Sequence, residues 1–217
     1  MSVDTHGTGK REQTKARNRS VLLEAARDVF VELGYDAATV RDIVARTNLA
    51  PGTFYNYFPD KRSVLTALIA EVGAEAARRV REARGAARSL EQLVYNGFRA
   101  YFEFVVSDRT TFELMRRNAA TLRTLGMDET GFAAAQAELR VDLESAIARG
   151  TFPNIPLHYV PPTVAAIAFE VGALMTASDP PDVEGATRFA AELCLGGIER
   201  LQRSANAEPN STGDGSS

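Results

Sequence analysis

The first chemical signal is a short segment in which aromatic and polar side chains alternate in role. Residues 51–58 read Pro-Gly-Thr-Phe-Tyr-Asn-Tyr-Phe. Phe54 and Phe58 are four residues apart, so on a helix both face one side and can anchor it to a core. Thr53, Tyr55, Asn56 and Tyr57 are then left on the other faces. Their hydroxyl and amide groups can bond phosphate oxygens or base edges. Gly52 lets the backbone approach a groove wall closely. This is recognition chemistry rather than catalysis. The bland alternative, that the aromatics are simply core, suits Phe54 and Phe58 better than Tyr55 and Tyr57.

Catalytic readings find little to stand on. The two histidines, His6 and His158, are far apart, and no metal cluster or histidine relay is evident. Cys194 lies in an apolar helical stretch and reads as packing. Gly7-Thr8-Gly9-Lys10 superficially resembles a phosphate loop, but Asp4 stands where that loop's first glycine belongs and no strand precedes it. We therefore expect no catalytic residue, no metal, no cofactor and no enzyme activity.

The elements that must hold the segment read as helices. Val21, Leu22, Ala25, Ala26, Val29 and Phe30 recur at helical spacing, and Gly34 is a good stop. Thr39 precedes a short helix, and Asp42 three residues on completes a variant capping box. Thr47 to Ala50 reads as a turn, and Pro51 suits the first position of another short helix. Together these give helix-turn-helix spacing over residues 39–58. Helices are predicted over 60–85, 89–106, 110–125, 129–149, 162–177 and 182–203. A Pro-rich loop fills 153–162, and no stretch alternates with period two. The fold class expected is all-α, of about nine helices. Residues 14–62 would form a three-helix domain and 63–203 a helical domain. Residues 1–13 and 204–217 are expected to be disordered, being polar and small.

Composition bounds the rest. At 217 residues the chain holds one to two domains. A net charge of −3 and a pI near 5.6 argue, taken whole, against a nucleic-acid binder. The average hides an asymmetry. Residues 1–62 hold 10 Lys+Arg and 8 Asp+Glu, a net of +2; residues 63–217 hold 15 and 20, a net of −5. Between Lys10 and Arg19 five cations accompany one anion, Glu12. That arm is either simply solvated or phosphate-seeking. The single cysteine allows no intramolecular disulfide. No apolar run is long enough to span a membrane, and the N-terminus lacks a signal-peptide stretch, so a cytoplasmic location is expected.

The run from Thr39-Val40-Arg41-Asp42-Ile43 through Pro51 to Phe58, then Asp60-Lys61, resembles the DNA-binding domain of TetR-family transcriptional regulators. The resemblance is specific over about residues 14–70 and architectural beyond. It implies a homodimer on a palindromic double-stranded DNA operator. Such a dimer is usually a repressor, released by a small-molecule effector. It implies base contacts from Arg41, Thr53 and Tyr55, a phosphate contact from Tyr57, and a backbone-phosphate contact from Lys61. Ala50 stands where many members carry a Ser or Thr cap.

The resemblance also implies a dimer seam in the last two helices, where Ala165, Ala166, Ala168, Gly172, Ala173, Ala186, Ala190, Ala191, Gly196 and Gly197 permit close approach. Leu174, Leu193, Leu195 and Ile198 supply apolar area there; an intrachain core is the alternative. It implies an effector pocket among the middle helices, for which Phe98, Tyr101, Phe102, Phe104, Phe112, Arg116, Arg117, Asn118, His158, Tyr159 and Glu170 are candidates. Glu170 sits in an apolar stretch where an unpartnered carboxylate would be costly. An apolar or amphipathic effector, for example an acyl chain or its thioester, is expected. The competing reading is a helical small-molecule-binding or interaction module whose helix-turn-helix is structural only.

Overall fold

The computed structural model describes residues 6–118, 131–150, 152–153 and 155–207. Among them are eight α-helices and one 3₁₀ helix, with no strand. They are α1 (His6–Leu33), α2 (Val40–Ala45), the 3₁₀ helix (Pro51–Asn56), α3 (Lys61–Gly85), α4 (Leu90–Ser107), α5 (Arg109–Arg117), α6 (Gly131–Ala148), α7 (Val160–Thr176) and α8 (Val183–Ala207). Residues 119–130, which hold the end of the helix predicted over 110–125 and the start of that over 129–149, lie outside the described residues. The chain divides into two compact units, Met1–Gly73 with Thr110–Gly131, and Ala74–Arg109 with Phe132–Ser217.

Two expectations about the ends need correction. Residues 6–12 are helical, not disordered, because α1 begins at His6. Residues 204–207 likewise belong to α8. Lys10, Arg11 and Glu12 at the start and Ala205 and Ala207 at the end are good helix formers, so helix continues into segments of few apolar residues.

In the first unit, Leu22, Leu23, Ala26, Val29 and Phe30 of α1 meet burial alongside Ile43, Phe54, Phe58, Val64, Leu65, Leu68 and Ile69. Each sits at helical spacing in its own element, which is why one face of each becomes core. Gly34 ends α1 with φ +78°, and its N–H donates to the Phe30 carbonyl at 3.0 Å. An L side chain is strained in that left-handed conformation, so glycine is required.

The Thr39 box forms as predicted. Thr39 Oγ1 accepts from the Asp42 N–H at 3.2 Å, and the Asp42 carboxylate accepts from the Thr39 N–H at 2.9 Å. The Thr39 hydroxyl also donates to that carboxylate at 2.6 Å, which holds the Asp42 carboxyl below its ordinary pKa. Thr39→Ala should cost about 1 kcal/mol in urea unfolding, the usual worth of a cap. Because the folded-state carboxyl is depressed, its contribution is present above the unfolded carboxylate range and is lost as pH falls through the folded value. The difference between wild type and T39A should therefore narrow in acid.

In the second unit α4 packs against α7 and α8, and α7 against α8. Phe98 and Phe102 stack with centroids 6.0 Å apart. Leu143, Phe152, Ile155 and Ile198 form a further buried cluster. The Ser89 cap is present, accepting from the Gln92 N–H at 3.2 Å. Gln92 reaches back one residue further than a capping box requires, to the Arg88 N–H at 2.9 Å.

Candidate nucleic-acid interface

Phe54 and Phe58 are both buried, with rings 5.8 Å apart. They pin the 3₁₀ helix to the first unit from below. Tyr55 packs edge-on against Phe54 at 5.4 Å, yet is 62% exposed. Its ring is thus braced on one side while most of the side chain stays open to solvent. Asn56 and Gly52 are exposed as well, and Thr53 and Tyr57 are half-buried. A side chain at Gly52 would meet nothing within 4 Å, so no internal packing asks for glycine there. Arg41 is exposed on the first turn of α2.

The segment differs from expectation in its winding. It is a six-residue 3₁₀ helix rather than an eight-residue α-helix, ended when Tyr57 N–H bonds the Phe54 carbonyl. Ala50 gives no side-chain cap, but the Thr53 N–H donates to the Ala50 carbonyl at 2.8 Å.

Lys61 requires the largest correction. Its Nζ donates to the carbonyls of Tyr35 at 2.6 Å, Ala38 at 2.8 Å and Asp36 at 3.1 Å. An ammonium has three N–H donors, and all three are accounted for. The same nitrogen lies 4.5 Å from the Tyr35 ring centroid. The side chain therefore closes the α1–α2 connection and does not reach outward for phosphate. Arg19 is also committed: it pairs with Glu71 and lies over the Phe58 ring at 5.6 Å. Arg46 pairs with Glu32. These partners lie far along the chain, beyond any local pattern.

The effector candidates separate. Phe98 and Phe102 are buried, and Tyr101 is half-buried with its ring 5.8 Å from Phe102. Burial pushes the Tyr101 phenol above its ordinary pKa, so it stays a neutral donor in apolar surroundings. Phe104 is buried beneath the Arg79 guanidinium, 5.2 Å from the ring centroid. Phe112 and Arg116 belong to the other unit. Phe112 is buried. Arg116 and Arg117 both bond Glu113, whose carboxyl falls to about 2 chiefly through the Arg116 hydrogen bond. They form an intrahelical ion-pair cluster in place of an open anion site. The Asn118 amide donates to the Leu114 carbonyl at 2.8 Å. His158 and Tyr159 are exposed. Glu170 is exposed too, so its apolar sequence context does not bury it.

On α7 and α8 the small and apolar residues divide between two faces. Ala168, Gly172, Ala190, Ala191 and Ile198 are buried within the chain, while Leu174 is 74%, Phe189 60% and Leu193 52% exposed. Gly196 and Gly197 are exposed with open space above them. Phe189 was not among the sequence candidates, although it stands four residues before Leu193, which was.

Two short helical elements at turn spacing, braced by α1 and α3 and presenting donors outward, define a helix-turn-helix protein. Residues 22–68 match the family described as bacterial regulatory proteins, tetR family. The match to that family covers the helix-turn-helix and the helices on either side of it. It is 35% identical over 71 residues to the HTH-type transcriptional regulator UidR of Escherichia coli K12, covering 32% of this chain and 36% of UidR. It is 38% identical over 65 residues to the repressor AcnR of Corynebacterium efficiens, covering 30% and 35%. The match thus spans about a third of the length of these curated relatives. Likeness of fold runs further. The fatty acid degradation regulator FadR of Bacillus halodurans has a TM-score of 0.68 at 22% identity, over 83% of this chain and 95% of that one. FadR of Bacillus subtilis, solved with stearoyl-CoA, has a TM-score of 0.63 at 19% identity, over 82% and 98%.

Proposed function

We propose that this chain is a ligand-responsive DNA-binding repressor. It works in the cytoplasm as a homodimer on a palindromic operator and is released by a small apolar or amphipathic effector. One observation carries the reading: Tyr55 stands exposed on a 3₁₀ helix whose Phe54 and Phe58 are buried. An aromatic braced at its edge and exposed on its face offers a partner both apolar area and a hydroxyl, at little cost in lost side-chain freedom. Arg41, Gly52, Thr53, Tyr55, Asn56 and Tyr57 are assigned to the duplex. A single recognition element this short reads few bases, so two copies on two half-sites are physically sensible. Leu174, Phe189 and Leu193 are assigned to the dimer seam. Phe98, Tyr101 and Phe102 offer an apolar wall with one neutral donor, suited to an amphipathic ligand. The stearoyl-CoA held by the Bacillus subtilis neighbour supports the same choice.

The test is selection of bound duplexes from random sequence, repeated with acyl ligands present. A defined palindrome should emerge, and a releasing ligand should weaken it. Tyr55→Ala and Arg41→Ala should each cost about 1–3 kcal/mol at particular base pairs and relax selection there only. Selection that enriches nothing, with no salt-dependent binding, would favour a ligand-binding module with a structural helix-turn-helix.

A further inference from the structure

The first turns of α1 have no structural task that the core explains. From Lys10 to Val21 no residue is buried, and Leu22 is the first to reach the interior. At about 1.5 Å per residue, the helix carries these twelve residues for about 18 Å ahead of its buried part. An uncovered polar helix of this kind is only marginally stable by itself. It nevertheless forms one wall of a cleft of about 700 Å³, lined by Lys10, Arg11, Thr14, Lys15, Asn56 and Tyr57.

The spacing explains the wall. Lys10 with Thr14, and Arg11 with Lys15, are pairs four apart, so the four side chains share one helix face. The opposite wall comes from the end of the 3₁₀ helix, where Asn56 closes the element and Tyr57 follows it. Among the described residues three cations, an amide, a phenol and the Thr14 hydroxyl line the cleft, and no carboxylate does. Like charges crowded on one face repel one another. An anion between the walls would remove that cost and engage the amide and phenol together.

We infer that this cleft is a phosphate site, occupied by a DNA backbone phosphate beside the bases faced by Thr53 and Tyr55. The inference rests on the DNA-binding reading above and extends it. The duplex is gripped on two sides of the 3₁₀ helix, and the basic start of α1 is a preformed helical clamp. Lys10, Arg11 and Lys15 position the duplex and carry no base specificity.

The test uses the full chain, a duplex recovered by selection, and the triple variant K10A/R11A/K15A. All three positions are exposed, so the fold is retained and thermal melting checks it. Three lost phosphate contacts should lower the slope of log affinity against log salt by about 2–3. Raising salt from 50 to 200 mM would then weaken the variant about 40-fold less than the wild type. The selected base preference should not change. A variant with the wild-type slope and affinity overturns the site while leaving the DNA-binding reading intact. A wild type that binds no duplex overturns the reading itself, and this site with it. Titration with inorganic phosphate, followed by amide shifts at residues 10–15 and 56–57, separates the two sources of the anion. Shifts with free phosphate together with an unchanged DNA slope would assign the cleft to a small anion and overturn the proposal.

Discussion

Lys61→Met lowers the stability of the N-terminal unit by about 2–3 kcal/mol and leaves the salt slope of DNA binding unchanged. The Lys61 ammonium offers three N–H bonds and places them on the carbonyls of Tyr35, Asp36 and Ala38, at 2.6, 3.1 and 2.8 Å. Those carbonyls converge because Gly34 turns the chain away from α1 and Thr39 has yet to start α2. Hydrogen bonds to a charged group contribute about 1.5–3 kcal/mol each in favourable cases, and partial exposure here keeps the sum near one such bond. Methionine keeps the apolar stem, so the loss isolates the ammonium. The unfolding midpoint should fall by about 4–10 °C for a chain of this size.

Lys61→Arg sharpens the test. A planar guanidinium suits two parallel oxygens and cannot converge on three carbonyls of one turn. It would serve a phosphate well. If Lys61 instead held the DNA backbone, K61R would restore binding and K61M would flatten the salt dependence by about one contact. Normal melting together with a flattened slope in K61M would sink the structural role. The distinction matters for function because the turn closed by Lys61 sets where α2, and with it Arg41, begins.

What the sequence made legible was local. The Thr39–Asp42 box needs only residues three apart, and the Phe54–Phe58 anchor only a spacing of four. Periodicity reports such pairs directly. The Lys61 bonds span 23 to 26 residues and end on carbonyls, which every residue type carries. The Arg19–Glu71 pair spans 52. No spacing rule reaches that far, so a lysine that matched a phosphate contact by position proved to be an internal strut. Glu170 misled for another reason. The apolar residues around it divide between a face packed inside the chain and one left uncovered, and composition alone does not separate the two. The start of α1 shows little in the sequence because low apolar content points to disorder, whereas helix propensity follows backbone and rotamer freedom.

The negative charge of the whole chain also changes meaning once the side chains are placed. Of the cations in residues 1–62, Arg19, Arg46 and Lys61 are committed to internal partners. Lys61 keeps its charge, because carbonyls are neutral, but the side chains left for direct contact with a duplex are few, chiefly the start of α1 and Arg41. Binding built on so few contacts gains most from being doubled, which places weight on the seam between two copies.

Phe189→Glu with Leu193→Glu should raise the dimer dissociation constant by about 1,000-fold. Phe189, Leu193, Gly197 and Leu201 recur every four residues along α8 and form one ridge. Phe189 is 60%, Leu193 52% and Leu201 47% exposed, which makes an uncovered apolar stripe. Gly197 interrupts the ridge with open space, the gap a second helix needs to approach closely. On a two-fold axis every substitution acts twice. Central apolar anchors cost about 2 kcal/mol or more each, so even with strong non-additivity the loss reaches about 4 kcal/mol. Sedimentation at micromolar concentration should then show a monomer for the variant and a dimer for the wild type. The buried neighbours Ala190, Ala191 and Ile198 are untouched, so thermal melting extrapolated to low concentration should agree between the two. Gly197→Val gives an independent check, since a side chain there meets nothing within 4 Å in its own chain. It should leave the monomer's fold intact and still break the dimer. Unaltered sedimentation of both variants would place the seam elsewhere. Where the dimer is lost, operator affinity should fall with it while the weak, salt-sensitive binding of a single half-site persists, as the proposed seam on α7 and α8 requires.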